Sequence, residues 1–83
     1  MYEIEITKRA IKDKKLLEQA GLYNKVYELL KIIKYNPFQN PPPYEKLMGS
    51  EYTYSRRINY KHRLVYDVVK NKIIILQMWS HYE

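Results

Sequence analysis

A proline-rich segment divides this chain into two parts with different residue patterns. Pro37 is followed by the run Pro41-Pro42-Pro43, and no helical or alternating pattern continues between Pro37 and Ser50. Proline lacks the amide hydrogen and fixes φ, so this stretch cannot be helical and is stiff and extended. We therefore predict an ordered loop of about a dozen residues, a length that is often functional.

The part before the prolines begins with a predicted strand and a first helix. Residues 2–6 alternate apolar and acidic side chains, which is typical of a half-buried strand. Thr7 stands where a helix N-cap is expected, and residues 8–20 form a lysine-rich helical pattern. Gly21 is a natural C-terminal stop for that helix.

The second helix has the clearer apolar stripe. Its spacing places five aliphatic residues on one face, and Asn36-Pro37 ends the pattern because the residue before a proline avoids the helical region. Two helices joined at a glycine predict a helical hairpin packed on a sheet. The stripe consists of Leu22, Val26, Leu29, Leu30 and Ile33.

The part after the prolines reads as strands. Residues 52–58, 62–69 and 73–79 are rich in β-branched and aromatic side chains, and the intervening stretches 59–61 and 70–72 are short enough for hairpins. The predicted fold class is α+β: an N-terminal strand, a two-helix hairpin, then an antiparallel meander of three strands. With 83 residues, the chain is expected to form one domain, residues 1–83.

Composition narrows the chemistry. The absence of cysteine excludes disulfide scaffolds, thiolate zinc sites and cysteine nucleophiles, and the two histidines with scattered carboxylates make a poor metal-ligand set. The longest aliphatic run, residues 73–76, is far shorter than the ~20 residues that span a bilayer. A net charge of +6 favours a polyanionic partner.

The predicted hairpin carries a basic surface interleaved with tyrosines. Between Tyr52 and Lys72 there is one acid, Asp67, against six basic residues. This pattern is typical of an RNA-binding or single-strand-binding surface, although a solvated sheet face gives the same pattern. The six basic residues are Arg56, Arg57, Lys61, Arg63, Lys70 and Lys72. Of these, we expect Arg56, Arg57 and Lys61 to bind substrate.

A three-residue hairpin loop would place two arginines side by side. It pairs Arg57 with Arg63, so both guanidinium groups lie on one face as cross-strand neighbours, and their repulsion suggests that an anion binds between them. Leu64, Tyr66 and Val68 then point to the other face, beneath the helices. His62 shares that second face and is expected to be structural.

Five motifs together resemble the YoeB/Txe group of the RelE toxin superfamily. The resemblance covers nearly the whole chain, and it implies a microbial-ribonuclease-like RelE fold with two helices on one face of a sheet. The motifs, in order, are Asn36-Pro37-Phe38, Tyr44-Glu45-Lys46-Leu47, Ser55-Arg56-Arg57-Ile58, His62-Arg63-Leu64-Val65-Tyr66 and His81-Tyr82.

The resemblance also implies roles for matching residues. Glu45 falls on the general base, Arg63 on the phosphate-contacting arginine and His81 on the general acid. Tyr82 falls on the aromatic residue that helps to place the substrate, and Arg57 on a second basic contributor.

The implied activity is that of a bacterial type II toxin, a ribosome-dependent endoribonuclease that cuts mRNA in the A site without metal or other cofactor. Its implied partners are the ribosome with its mRNA and an acidic antitoxin similar to YefM or Axe; a homodimer is suggested too. The implied location is the bacterial cytoplasm, with no membrane association. The alternatives are a ParE-like gyrase inhibitor and a non-catalytic basic RNA-binding module.

The last hairpin leaves two registers open. A two-residue turn at Lys70-Asn71 would aim His81 away from the face that carries Arg63, whereas a three-residue turn or an irregular tail would aim it toward that face. Glu83, which follows His81-Tyr82, adds a carboxylate next to the expected acid.

Overall fold

The predicted order of helices and strands is confirmed, with one added strand. The structure, a computed structural model, describes residues 1–79. The elements in chain order are β1 (Glu3–Ile6), α1 (Lys8–Gln19), α2 (Tyr23–Tyr35), β2 (Glu45–Lys46), β3 (Thr53–Arg57), β4 (Arg63–Val69) and β5 (Lys72–Gln77).

The sheet is larger and more mixed than the predicted meander. Its strand order is β1-β5-β4-β3-β2. The strands β3, β4 and β5 form the expected antiparallel meander, but β1 adds to β5 in parallel and β2 adds to β3. The prediction that the proline-rich stretch is loop throughout is wrong at Glu45–Lys46, which form β2. A two-residue strand is too short to show alternation in a sequence.

The helix ends follow the predicted signals. Thr7 caps α1, and its hydroxyl accepts a hydrogen bond from the Ala10 amide at 3.2 Å. Gly21 adopts a φ of +74° just after α1, a conformation that is strained for residues with a Cβ. Asn36 ends α2 in an extended conformation. Neither helix in residues 1–79 is long and apolar enough to cross a membrane.

The core lies between the helices and one face of the sheet. Leu64 and Tyr66 of β4 are fully buried there, and Val68 packs against the same cluster, as the alternation predicted. The opposite face, which we call the open face, carries the side chains of Arg57 and Arg63, whose Cα atoms are paired across β3 and β4 as expected. The core residues are Ala10, Leu17, Val26, Leu29, Ile33, Ile58, Leu64, Tyr66, Ile73, Ile75 and Met78.

The last hairpin combines a short turn with a register shift. Val69 pairs with Lys72, so the turn has two residues, of which Lys70 adopts a positive φ of 58°. Further along, Tyr66 pairs with Ile75 but Val65 pairs with Gln77, which inserts one extra residue into β5. A shift of one residue moves the side chains of a strand to the opposite face of the sheet. After this bulge, the side chain of Gln77 therefore lies on the face opposite to the one that the two-residue turn alone would give. His81 itself lies outside the described residues.

Candidate active site

Glu45 and Arg63 meet on the open face of the sheet. The Glu45 Oε1 and Arg63 Nη2 atoms are 3.3 Å apart. The Glu45 side chain is 72% exposed and the Arg63 side chain only 14% exposed, so the cation is held in the protein while the carboxylate faces solvent. The two residues predicted to act as general base and phosphate ligand are therefore neighbours, although 18 positions separate them in the sequence.

The sheet register places this pair. Glu45 on β2 is the Cα partner of Ser55 on β3, and Ser55 in turn pairs with Val65 on β4. The Ser55 hydroxyl accepts a hydrogen bond from Arg63 Nε at 3.1 Å. The Ser55 hydroxyl thus holds the Arg63 side chain on the open face, where it reaches Glu45. Within residues 1–79 these contacts use Nε and Nη2 of Arg63, and the Nη1 amine remains to donate to an anion.

Arg57 extends the positive charge along the open face. It is the cross-strand partner of Arg63 and is exposed. Its Nη1 donates to the Tyr60 carbonyl oxygen at 3.3 Å. Two adjacent arginines on a sheet repel one another, so the energetically favourable occupant of the space beside them is an anion.

The burial of Arg56 contradicts the expectation that this residue binds substrate. Its side chain lies on the core face and is fully buried, so it cannot reach RNA on the open face. Arg56 is instead held by hydrogen bonds within the protein. Its Nη1 donates to the Pro42 carbonyl, its Nη2 to the carbonyls of Pro37 (3.1 Å) and Gln39 (2.8 Å), and its Nε to the Tyr66 hydroxyl (3.0 Å).

These bonds shape the proline segment, by which we mean residues 37–44. The Tyr66 hydroxyl donates to the Pro37 carbonyl at 3.0 Å, and the Arg56 guanidinium lies 5.0 Å from the centre of the Tyr44 ring. Burial raises the pKa of the Tyr66 hydroxyl above its ordinary value, against the lowering effect of the hydrogen bond from Arg56. Since Glu45 follows the proline segment directly, Arg56 and Tyr66 position the strand that carries it.

An aromatic cluster packs against the same segment. The Phe38 and Tyr44 rings both contact Tyr54, with centroid distances of 5.1 and 5.9 Å and nearly perpendicular planes. Such edge-to-face pairs add to the stabilisation that apolar burial provides. The segment that sequence analysis left as an ordered loop is therefore anchored by both polar and aromatic contacts.

Lys61 and His62 lie at the tip of the β3–β4 hairpin. Lys61 is exposed, and its amide donates to the Asn59 side-chain oxygen at 2.9 Å. His62 is 3% exposed and stacks on Trp79, with ring centroids 4.1 Å apart. His62 is thus structural, as predicted, while Lys61 stands at the rim of the basic surface and remains a predicted substrate contact.

Asp13 is a buried polar residue that the sequence analysis did not single out. Its Oδ2 accepts hydrogen bonds from the amides of Met78 (3.0 Å) and Trp79 (3.3 Å), just after β5. Arg9 approaches the same oxygen at 3.4 Å. A signal was present, because Asp13 lies on the stripe that also includes Ala10 and Leu17 and an acid on an apolar stripe needs a buried partner.

The predicted acid His81 and the predicted aromatic residue Tyr82 lie outside the described residues, as does Glu83. Among residues 1–79, no three His, Asp or Glu side chains are grouped so that they could hold a metal ion. The described part of the site therefore consists of a carboxylate, two arginines and a serine hydroxyl on one sheet face.

Comparisons with known proteins identify the family of this chain. A family model described as a YoeB-like toxin of bacterial type II toxin-antitoxin systems matches residues 7–82. A Toxin YoeB from Synechocystis is 38% identical over 72 residues, covering 86% of this chain and 77% of that protein.

Two solved structures from Staphylococcus aureus are also similar. A YoeB dimer is 38% identical, with a TM-score of 0.84 and coverage of 98% of each chain. A YoeB–YefM complex gives 38% identity, a TM-score of 0.79 and coverage of 99% of each chain. The family model spans nearly the whole chain and the relatives share both sequence and fold, so this chain belongs to the YoeB-like toxins of bacterial type II toxin-antitoxin systems.

Proposed function

We propose that this toxin is a ribosome-dependent endoribonuclease that cuts mRNA in the A site by general acid–base catalysis without a metal. The observation that carries the proposal is the contact between Glu45 and Arg63 on the open face. A solvent-facing carboxylate beside a fixed arginine supplies a proton acceptor and an anion ligand at one place.

The nucleophile in this scheme is the RNA's own 2′-hydroxyl. Glu45 takes the 2′-OH proton while the 2′-oxygen forms a bond to the adjacent phosphorus. The bond from phosphorus to the 5′-oxygen breaks, and His81 gives its proton to that leaving oxygen. The products are a 2′,3′-cyclic phosphate and a 5′-hydroxyl end.

The two arginines stabilise the charge that develops on the phosphoryl oxygens. A guanidinium donates in a planar fork that matches phosphate, which favours arginine over lysine at these positions. Arg63 has its Nε tied to Ser55, so it is held in place before substrate arrives. Arg57 is exposed beside it and adds charge along the same face.

The roles of His81 and Tyr82 rest on the family motif at their positions. An acid opposite Glu45 is required because the 5′-oxygen is a poor leaving group unless it is protonated. We assign that role to His81, and to Tyr82 the placement of the substrate.

The proposed regulatory partner is an acidic antitoxin similar to YefM. The similar protein from S. aureus was solved as a YoeB–YefM complex, and another structure shows YoeB as a dimer. A net charge of +6 favours rapid, salt-sensitive capture of an acidic partner. A homodimer is proposed on the same comparison.

The test is cleavage of mRNA on programmed ribosomes, mapped by primer extension. The purified protein should cut in the A site, and Arg63→Ala should lower the cleavage rate by at least about 100-fold, as expected for loss of a group that stabilises transition-state charge. Lys34→Ala, which removes an exposed charge outside the site, is the matched control and should cleave normally.

Two other results would replace the proposal. If the wild-type protein and Arg63→Ala both leave the mRNA intact and the wild type inhibits DNA gyrase supercoiling, the protein would be a ParE-like toxin. Intact mRNA with RNA binding that Glu45→Gln leaves unchanged would identify a non-catalytic RNA-binding module.

A further inference from the structure

A cavity of about 330 Å³ lies beside the tip of the β3–β4 hairpin, between α2 and the proline segment. Its apolar walls come from three elements: Leu29 of α2, Ile58 of the hairpin, and Pro42 and Pro43. Its size is near the lower end of the range for small-ligand sites, which suits a single nucleotide-sized group.

The rim of the cavity is positively charged. Lys25 of α2 and Arg57 of β3 both line it, and the lining residues found among positions 1–79 include no Asp or Glu. Two cations without a compensating carboxylate attract an anion, and a phosphate group satisfies both.

Tyr60 gives the cavity an aromatic wall. Tyr60 is 84% exposed although it lines the cavity, so its ring is accessible for stacking on a flat ligand. The turn that carries it is fixed, because the Asn59 side-chain oxygen accepts from the His62 amide at 2.6 Å and the Ile58 amide donates to the His62 carbonyl at 2.9 Å. Because the turn that carries Tyr60 is ordered before a ligand arrives, binding need not pay the entropy cost of ordering that backbone.

The proline part of the lining is also held by the protein. Arg56 donates to the Pro42 carbonyl, so the two prolines that face the cavity are tied to the core. Proline rings are rigid and apolar, which makes them suitable for contact with a base that also stacks on Tyr60.

Arg57 joins the cavity to the candidate active site. It lines the cavity, and it is also the cross-strand partner of Arg63. Paired residues on neighbouring strands have Cα atoms roughly 5 Å apart, so a phosphate at Arg63 and the next one at Arg57 are within reach of one RNA strand.

We propose that this cavity is a nucleotide subsite, which takes the base and phosphate of the RNA nucleotide next to the one that is cut. The base stacks on Tyr60 and contacts the prolines, and the phosphate binds Lys25 and Arg57. The inference deepens the proposed ribonuclease function and rests on RNA being the substrate.

The test is titration of the ¹⁵N-labelled protein with 5′-AMP and 5′-UMP, followed by amide chemical shifts. Saturable shifts are expected at Lys25, Ile58, Asn59 and Tyr60, with inorganic phosphate binding more weakly. Tyr60→Ala should weaken nucleotide binding about tenfold, as expected for loss of one stacked base. Lys25→Ala should weaken it several-fold and reduce its dependence on salt.

Matched variants keep the test specific. Tyr35→Ala removes a tyrosine that is 72% exposed at the end of α2, and Lys34→Ala removes an exposed lysine; neither residue lines the cavity, and both variants should bind as the wild type does. The subsite is refuted if no saturable shift occurs at the cavity amides, or if Tyr60→Ala binds nucleotide as tightly as Tyr35→Ala.

A further competition separates a nucleotide site from a peptide site. An oligoglutamate peptide that binds at these amides, while neither nucleotide does, would reassign the cavity to an acidic protein partner and overturn the proposal. The titration needs no ribosome. If the protein cleaves mRNA normally but binds no nucleotide in the titration, the subsite alone is refuted. Failed cleavage with saturable nucleotide binding refutes the proposed ribonuclease and not the cavity as a nucleotide site.

Discussion

Two buried charged side chains hold different parts of this molecule, and they do so in different ways. Arg56 donates to three backbone carbonyls within one short stretch, residues 37–42, and to the Tyr66 hydroxyl, and thereby shapes the proline segment before Glu45. Asp13 of α1 accepts from two consecutive amides at the end of β5. Arg56 therefore organises one segment through several acceptors, whereas Asp13 ties the first helix to the end of β5, 65 and 66 positions away, through a single oxygen.

This difference predicts which of the two substitutions disturbs more of the structure. Loss of the Arg56 guanidinium removes the donor to the Gln39 and Pro42 carbonyls and one of the two donors to the Pro37 carbonyl, and so releases the segment that delivers β2. Loss of the Asp13 carboxylate removes the acceptor of only two amides, those of Met78 and Trp79 just after β5. Buried polar groups are costly in proportion to how many partners lose their hydrogen bonds.

Arg56→Leu is expected to have the largest effect on stability. It should lower the free energy of unfolding by about 3–5 kcal/mol, because the buried carbonyls lose a charged donor. Urea denaturation measures this. Since such a loss is a large part of the stability of a small domain, Arg56→Lys is the companion variant and should cost about 1–3 kcal/mol while remaining folded.

Activity of Arg56→Lys sharpens the same point. Lysine cannot span the separated acceptors, so Glu45 should be misplaced and cleavage on saturating ribosomes should slow by about 10- to 100-fold, with little change in the concentration for half-maximal rate. An unchanged rate would show that Arg56 does not control the position of Glu45.

Asp13→Ala is expected to have a smaller effect. It should cost about 1–3 kcal/mol of unfolding free energy, because two amides lose their acceptor. Asp13→Asn retains a side-chain oxygen and should recover most of that stability, losing mainly the contact with the half-exposed Arg9. If Asn were as damaging as Ala, the charge and not the acceptor geometry would be the important property.

Tyr66→Phe should have the smallest effect at neutral pH. Removing the hydroxyl breaks its bonds with Pro37 and Arg56, at a cost of about 1 kcal/mol in unfolding free energy. Arg56 keeps its three carbonyl acceptors, so the proline segment should hold its shape.

The contribution of the Tyr66 hydroxyl to stability should be lost in alkali. Burial raises the pKa of Tyr66, so its contribution is fully present below the ordinary tyrosine pKa of about 10 and is lost as the pH rises through the folded value. The stability advantage of the wild type over Tyr66→Phe should therefore shrink above about pH 10. Chemical denaturation at a series of pH values measures this, and a constant difference would contradict it.

The sequence predicted the parts of the fold that depend on local signals. The caps at Thr7 and Gly21 and the apolar stripe of α2 mark the helices within a few residues. The three-residue loop fixed the pairing of Arg57 with Arg63, because loop length determines register in a hairpin. The resemblance in motifs singled out Glu45 and Arg63, which the structure brings together.

What the sequence did not predict depends on long-range contacts. The parallel pairing of β1 with β5 joins the two ends of the chain, and no local pattern encodes it. Arg56 was assigned to the basic surface, although alternation places it in register with Tyr54 and Ile58 on the core face. The acceptors that make its burial possible lie in the proline segment, whose path the sequence could not give.

The central claim, attack by the RNA's 2′-oxygen with Glu45 as the base, is tested most directly with modified mRNA. One message carries a 2′-deoxynucleotide at the mapped cleavage position, and a control message carries it one position away. On programmed ribosomes the account predicts no cleavage of the first and normal cleavage of the second, with a 2′,3′-cyclic phosphate end. Cleavage of both messages at the same position and rate would contradict it.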